Sequence, residues 1–228
     1  MALLALPAEL RLRIYSYVED LKHGREEEVA LACPLTPAIC RTNLQLRRET
    51  IVTFAENAYF IVAVGAFNAR RNPRLRLQIW LNALGDGGLA RVRSVQFDRN
   101  WDLPLPERWQ GHVGFYVRLE KHDGLWQCST GTCPMARDSR AMRQESAELL
   151  RRVIYRRLQQ PRPAPEDVLT RCDAELIFDA MNMVAMNPLP TYDIDQTEAG
   201  RQRRRQTWMD IERKLLALAH GGSADSLR

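Results

Sequence analysis

The sequence has no apolar run approaching the roughly 18 residues that a membrane-crossing helix requires. It has five cysteines, Cys33, Cys40, Cys128, Cys133 and Cys172, an odd number with no Cys-x-x-Cys pair. Thiols scattered in this way point to a reduced compartment rather than to a disulfide framework. Cys128 and Cys133 flank four residues, but a zinc site would need two more ligands. The nearby His112 and His122 match no standard spacing, so neither a metal nor a cofactor is expected. The frameworks that catalysis imposes are missing as well. There is no His-Glu-x-x-His helix, no Gly-x-Ser-x-Gly elbow, no Walker loop and no Gly-x-Gly-x-x-Gly turn. Asp173 with Glu175, and Asp193 with Asp195, are neighbouring carboxylates, but nothing around them predicts separated pKa values. None of the four histidines stands beside a plausible nucleophile. No convincing internal repeat is present, so a leucine-rich solenoid is not supported. The opening MALLALPAEL lacks the basic segment of a secretory signal. These absences give the expectation of a non-enzymatic, intracellular protein, cytoplasmic or nuclear, that does not associate with a membrane.

What remains is ordinary globular material. The 228 residues suffice for one large domain or two small ones, and 45% hydrophobic with 27% charged residues is normal for a packed chain. The net charge of +5 permits an acidic partner without requiring one. Arginines are spread along the whole chain, with one dense cluster at Arg201, Arg203, Arg204 and Arg205. That cluster is the candidate contact for nucleic acid or another anionic partner, the second functional reading of this sequence.

The pattern richest in information lies between Leu6 and Phe60. Pro7 suits a helix's first turn, where its missing N–H removes no bond. Leu10, Ile14, Tyr17 or Val18, and Leu21 then recur at spacings of three and four, which predicts one shared helical face with Arg11 and Arg13 pointing elsewhere. Gly24 and the run Glu26-Glu27-Glu28 end this pattern and read as solvated loop. Thr36 before Pro37 reads as the N-cap of a second helix carrying Ile39, Leu46 and Phe54, broken at Asn57. Ala58 to Val64 reads as a buried strand.

Within this stretch the chain resembles the fungal F-box-like proteins. The resemblance rests on Leu6, Pro7, Glu9, Leu10, Arg11, Ile14 and Tyr15 in an opening Leu-Pro-x-Glu-Leu-Arg-x-x-Ile-Tyr. It continues with Arg41, Asn43, Gln45, Leu46, Arg47, Glu49 and Thr50 in Arg-x-Asn-x-Gln-Leu-Arg-x-Glu-Thr, and with Asn57 and Phe60. A looser match runs through Trp80-Leu81-x-Ala83-Leu84-Gly85 and the strand that follows. The resemblance implies a substrate receptor that docks on a Skp-type adaptor of a cullin ubiquitin ligase and holds a client protein. Leu6, Pro7, Glu9, Leu10, Ile14 and Tyr15 are then the partner-binding set. A long polar insert between the two halves departs from an ordinary F-box. The same apolar stripe also fits packing into the chain's own core, because amphipathicity alone does not separate the two. An orphan scaffold is the third reading.

Further along, Leu75 to Leu84 reads as a short helix stopped by Gly85-Asp86-Gly87-Gly88, and Arg91 to Asp98 as a strand. Trp101 and Trp109 lie in a proline-rich segment and are expected to seal a sheet edge. Val113 to Glu120 and Leu125 to Ser129 read as a hairpin around Asp123-Gly124, with His122 exposed at its tip. A helix follows from Asp138 or Ser139 to about Gln159, with Arg151, Arg152, Arg156 and Arg157 on its solvated side. Two more are expected, one from Glu166 to Met183 and one from an Asp195–Glu198 cap to His220. Helices before and after a block of strands predict an α+β fold. It comprises an N-terminal F-box-like module over 1–60, a small, mainly antiparallel sheet over 61–135 and three helices over 136–228, packed as one unit.

Overall fold

The computed structural model describes residues 3–29, 35–64, 72–102, 112–132, 140–159, 168–186 and 197–219. Among these residues six α-helices and five strands follow one another as α1 (Ala8–Tyr15), β1 (Glu26–Glu28), α2 (Leu44–Asn57), β2 (Tyr59–Ala63), α3 (Pro73–Leu89), β3 (Ser94–Asp102), β4 (His112–His122), β5 (Leu125–Thr132), α4 (Arg140–Leu158), α5 (Arg171–Met186) and α6 (Glu198–Ala219). The strands form one sheet in sequence order, so the fold is α+β, as expected.

The sheet is mixed rather than mainly antiparallel. β1, β2 and β3 run parallel because α2 and α3 carry the chain back between them, while β3, β4 and β5 form an antiparallel meander. The glutamate run expected as loop is strand β1. Its backbone continues the parallel pairing: Tyr59 N–H donates to Arg25 O at 2.8 Å and Val29 N–H to Ile61 O at 2.8 Å. At a sheet edge its charges keep access to solvent, and Arg25 Nε lies 2.8 Å from Glu27.

Several boundaries move for reasons of local chemistry. α1 ends at Tyr15 instead of continuing, and Leu21 reaches the core from a separate 3-10 turn, Glu19–Leu21. Thr36 caps no α-helix. Pro37 leads into a 3-10 turn over Ala38–Arg41, and α2 begins after Asn43, whose side chain accepts the Gln45 N–H at 2.8 Å. Asn72 caps α3 through the Leu75 N–H, so the helix starts at Pro73, two residues before the expected start. Gly85 breaks that helix with φ 64°, a conformation that suits glycine, and one further turn follows. At the hairpin, Asp123 and Gly124 have φ 51° and 81°, as an Asp-Gly turn requires. Glu166, Trp109, Cys133 and Asp195 lie outside the described residues, as do the side chains of Trp101 and Trp208.

Alternation along the strands sorts the sheet into two faces. Phe60 and Val62, Val95 and Phe97, and Val117 and Leu119 all point to the inner face and are buried, with Trp126 of β5 beside them. Phe54 of α2 meets Phe60 edge-on at 5.4 Å between ring centroids, and Trp80 of α3 lies 5.1 Å from Phe60 on the other side. α4 covers β4 and β5, α5 packs on β3 and α3, and α6 closes over α4 and α5. The outer face carries a polar chain instead. Gln96 donates to Asp98 at 2.8 Å and accepts from Tyr59 and from Arg118 Nε at 3.0 Å. The Arg118 guanidinium stacks over Tyr59 and Tyr116 at 5.3 and 5.7 Å. Tyr116 lies so flat on Gly131 that a Cβ there would come within 2.3 Å of its ring.

Candidate interaction surface

α1 is built with its polarity reversed. An amphipathic surface helix normally turns its apolar stripe to the core. Here Arg11 and Tyr15, one turn apart, face inward and are buried, while Leu10 is 48% and Ile14 40% exposed. Tyr17, just past the helix, is 74% exposed, and Leu4 and Leu12 are open as well. The spacing of Leu10 and Ile14 puts them on one face as expected. That face points to solvent, so the expected stripe is split between the surface (Leu10, Ile14) and the core (Leu21), with Val18 half-buried.

The inward side is held by one carboxylate. Arg11 grips Glu49 of α2 with two parallel bonds, Nε to Oε2 at 2.9 Å and Nη2 to Oε1 at 2.6 Å, the geometry in which a guanidinium binds a carboxylate best. The Tyr15 hydroxyl donates to Glu49 Oε2 at 2.7 Å, and Gln45 to Oε1 at 3.2 Å. The free arm of Arg11 reaches back to the Leu6 carbonyl. The Arg11 bonds, then the Tyr15 bond, hold the Glu49 carboxyl down to about 2. The partners shift accordingly: Arg11 upward through its bond to Glu49, and Tyr15 upward through burial first and Glu49 second.

The residues carrying the sequence resemblance thus divide into two groups. Arg11, Tyr15, Asn43, Gln45, Glu49 and Thr50 staple the segment internally; the Thr50 hydroxyl, for example, donates to Leu46 O at 2.6 Å and meets Cys40 Sγ at 3.1 Å. Arg47 donates to Ala83 O on α3 at 2.7 Å, and Asn57 to Leu21 O at 2.8 Å. Pro7, Glu9, Leu10 and Ile14 are exposed and Leu6 half-buried. Tyr15 leaves the partner-binding set: its ring is buried and its hydroxyl is committed to Glu49. The latch was not read from the sequence, although Arg11 and Tyr15 share a spacing of four opposite Leu10 and Ile14.

The second candidate surface is on α6. Arg203 and Arg205 are exposed there, while the side chains of Arg201 and Arg204 lie outside the described residues. The described residues also form clefts. One of about 370 Å³ is lined by His23, Glu26, Tyr59, Ser94, Arg118 and Glu120, among others. Another, about 320 Å³, surrounds Glu56 with Arg91, Arg93 and Lys121. Glu56 lies 3.4 Å from Arg91 and 3.6 Å from Arg93, a single carboxylate shared by two guanidiniums. Of the carboxylate pairs, Asp173 is buried in a helix cap, and Asp193 and Asp195 lie outside the described residues. No group of metal ligands occurs among the described residues, and no helix among them is long and apolar enough to cross a membrane. Cys40, Cys128 and Cys172 are free thiols, and burial pushes Cys128 up to about 12, far from a reactive thiolate. No family model, curated protein or solved structure matches the chain.

Proposed function

We propose that this chain is a non-enzymatic protein-interaction module that docks through the outward face of α1, acting as a substrate receptor on a Skp-type adaptor of a cullin ubiquitin ligase. One observation carries the reading: α1 commits its arginine and tyrosine to Glu49 and leaves Leu10 and Ile14 in water. Half-exposing two large aliphatic side chains on one helical turn forgoes burial worth about 1 kcal/mol or more each. A partner groove recovers that energy in the manner of a helix laid into a groove. The identity of the partner comes from the resemblance to F-box-like proteins.

The test is calorimetric titration of the full chain with a fungal Skp-type adaptor, beside the double variant Leu10→Asp, Ile14→Asp. Both positions are solvent-facing, so the variant retains the wild-type circular dichroism spectrum. Saturable binding by the wild type that the variant lacks supports the docking role. Absence of heat with the wild type, or equal binding by the variant, rejects it.

A further inference from the structure

At the end of the sheet where β3 begins and β4 ends, two arginines share one carboxylate. Glu56, in the last turn of α2, takes Arg91 Nη1 and Arg93 Nη2 on a single oxygen, Oε1, at 3.4 and 3.6 Å. A charge-assisted pair closes to about 2.7–2.9 Å, and a bidentate one uses both carboxylate oxygens. Arg11 does so on Glu49 in this same chain, where the arginine is buried. Arg91 and Arg93 instead reach Glu56 with one nitrogen each and keep most of their side chains in solvent. A guanidinium carries five N–H donors in a planar fork, so each turns most of its donors elsewhere.

The backbone beneath these side chains is fixed. Arg91 N–H donates to Gly88 O at 2.9 Å in the turn that closes α3, and Arg93 O accepts from Lys121 N–H of β4 at 2.8 Å. Arg91, Arg93 and Lys121 thereby line one cleft of about 320 Å³ together with Glu56, Ala90 and Val168. The cleft of about 370 Å³ shares Glu56 and Arg93 with it and extends past Tyr59 and Arg118. Ser94 lines that second cleft, and its Oγ is buried with no hydrogen-bond partner among the described residues.

We propose that these adjoining clefts bind a phosphate monoester, with the phosphoryl group held by Arg91, Arg93 and Lys121 and the organic part lying toward Tyr59 and Ser94. A phosphoryl group offers three strong acceptor oxygens and a charge of about −1.5 to −2, which suits two planar forks better than a single carboxylate does. Glu56 then orients the forks. The polar lining of the second cleft suits a hydroxylated or amino-bearing body, with Ser94 Oγ as one contact. None of the lining residues belongs to α1, so the site is independent of adaptor docking.

Calorimetric titration of the full chain at fixed ionic strength tests it, with O-phosphoserine, ribose 5-phosphate, inorganic phosphate and acetate as probes. At least one monoester is expected to bind saturably and more tightly than inorganic phosphate, and acetate not to bind. A preference between the two monoesters identifies the body as amino-acid-like or sugar-like. Arg91→Gln with Arg93→Gln, at exposed positions and with the circular dichroism spectrum unchanged, weakens the bound monoester about tenfold or more. Arg203→Gln with Arg205→Gln removes the same charge from α6 and leaves binding as it was. Ser94→Ala weakens the monoester but not inorganic phosphate. The proposal is overturned if neither monoester binds more tightly than inorganic phosphate, or if acetate binds as well as they do. Equal losses in the two arginine pairs overturn it too, since overall positive charge would then be all that attracts the anion.

Discussion

Glu49 holds the N-terminal helix by a single carboxylate, and its protonation should be visible in stability. The group titrates near 4.3 in an unfolded chain and about 2 in the fold. A depressed folded value means that its contribution is complete above the unfolded value and is lost as pH falls toward the folded one. Urea unfolding measured between about pH 6 and pH 2 should therefore show part of the acid destabilisation vanish in Glu49→Gln. At neutral pH that variant should be less stable by about 1–2 kcal/mol, because Arg11 and Tyr15 lose a charged acceptor while Glu49 itself keeps some contact with water. Parallel pH profiles for the two proteins would show that the latch contributes nothing to folding. At this scale the sequence was half legible. Spacing alone put Leu10 and Ile14 on one face. The direction of that face depended on the partner of Arg11, thirty-eight positions away, which no local pattern encodes.

At the scale of the element, caps decide where helices begin, and a cap is legible only when its residues stand out. α5 begins at Arg171, capped by Thr170. Thr170 N–H and hydroxyl donate to Asp173 Oδ2 at 3.0 and 2.6 Å, and Asp173 N–H returns a bond to Thr170 Oγ1 at 3.2 Å. This is the reciprocal box of a helix start with aspartate in the third position. Its Oδ1 also lies 3.3 Å from Arg157 Nε, so the arginine expected on the solvated side of α4 instead ties α4 to α5. Asp173→Ala should thus cost more than an ordinary cap: about 2–3 kcal/mol by chemical denaturation, against about 1 kcal/mol for Thr170→Ala. Equal losses would confine the role of Asp173 to the cap. The hairpin was read correctly because Asp123-Gly124 demands positive φ. β1 was not, because three glutamates carry no strand signal and only the neighbouring β2 makes them one.

Across the whole molecule, one hydrophobic cluster runs from Tyr15 in α1 to Ala219 in α6. The N-terminal segment and the C-terminal helices meet on the same sheet: α2 and α3 enclose Phe60, and α5 reaches both β3 and α3. Arg157 reinforces the closure by donating to Ala219 O at 3.5 Å. Apart from β1, the order of helices and strands was legible from periodicity. Their assembly was not, since the parallel crossovers depend on which strands neighbour one another. If the cluster is a single cooperative unit, damage at one end of the chain must be felt at the other. Leu215→Ala in α6 removes a fully buried side chain at a cost of about 2–5 kcal/mol. Native-state hydrogen exchange should then show protection falling by a similar free energy in α2, β2 and β3 as well as in α6, because these amides exchange through the same global opening. Loss of protection confined to α4, α5 and α6, with α2 and β2 unchanged, would instead divide the chain into two separately opening units. The N-terminal segment would then be able to hold its shape without the helices that follow it.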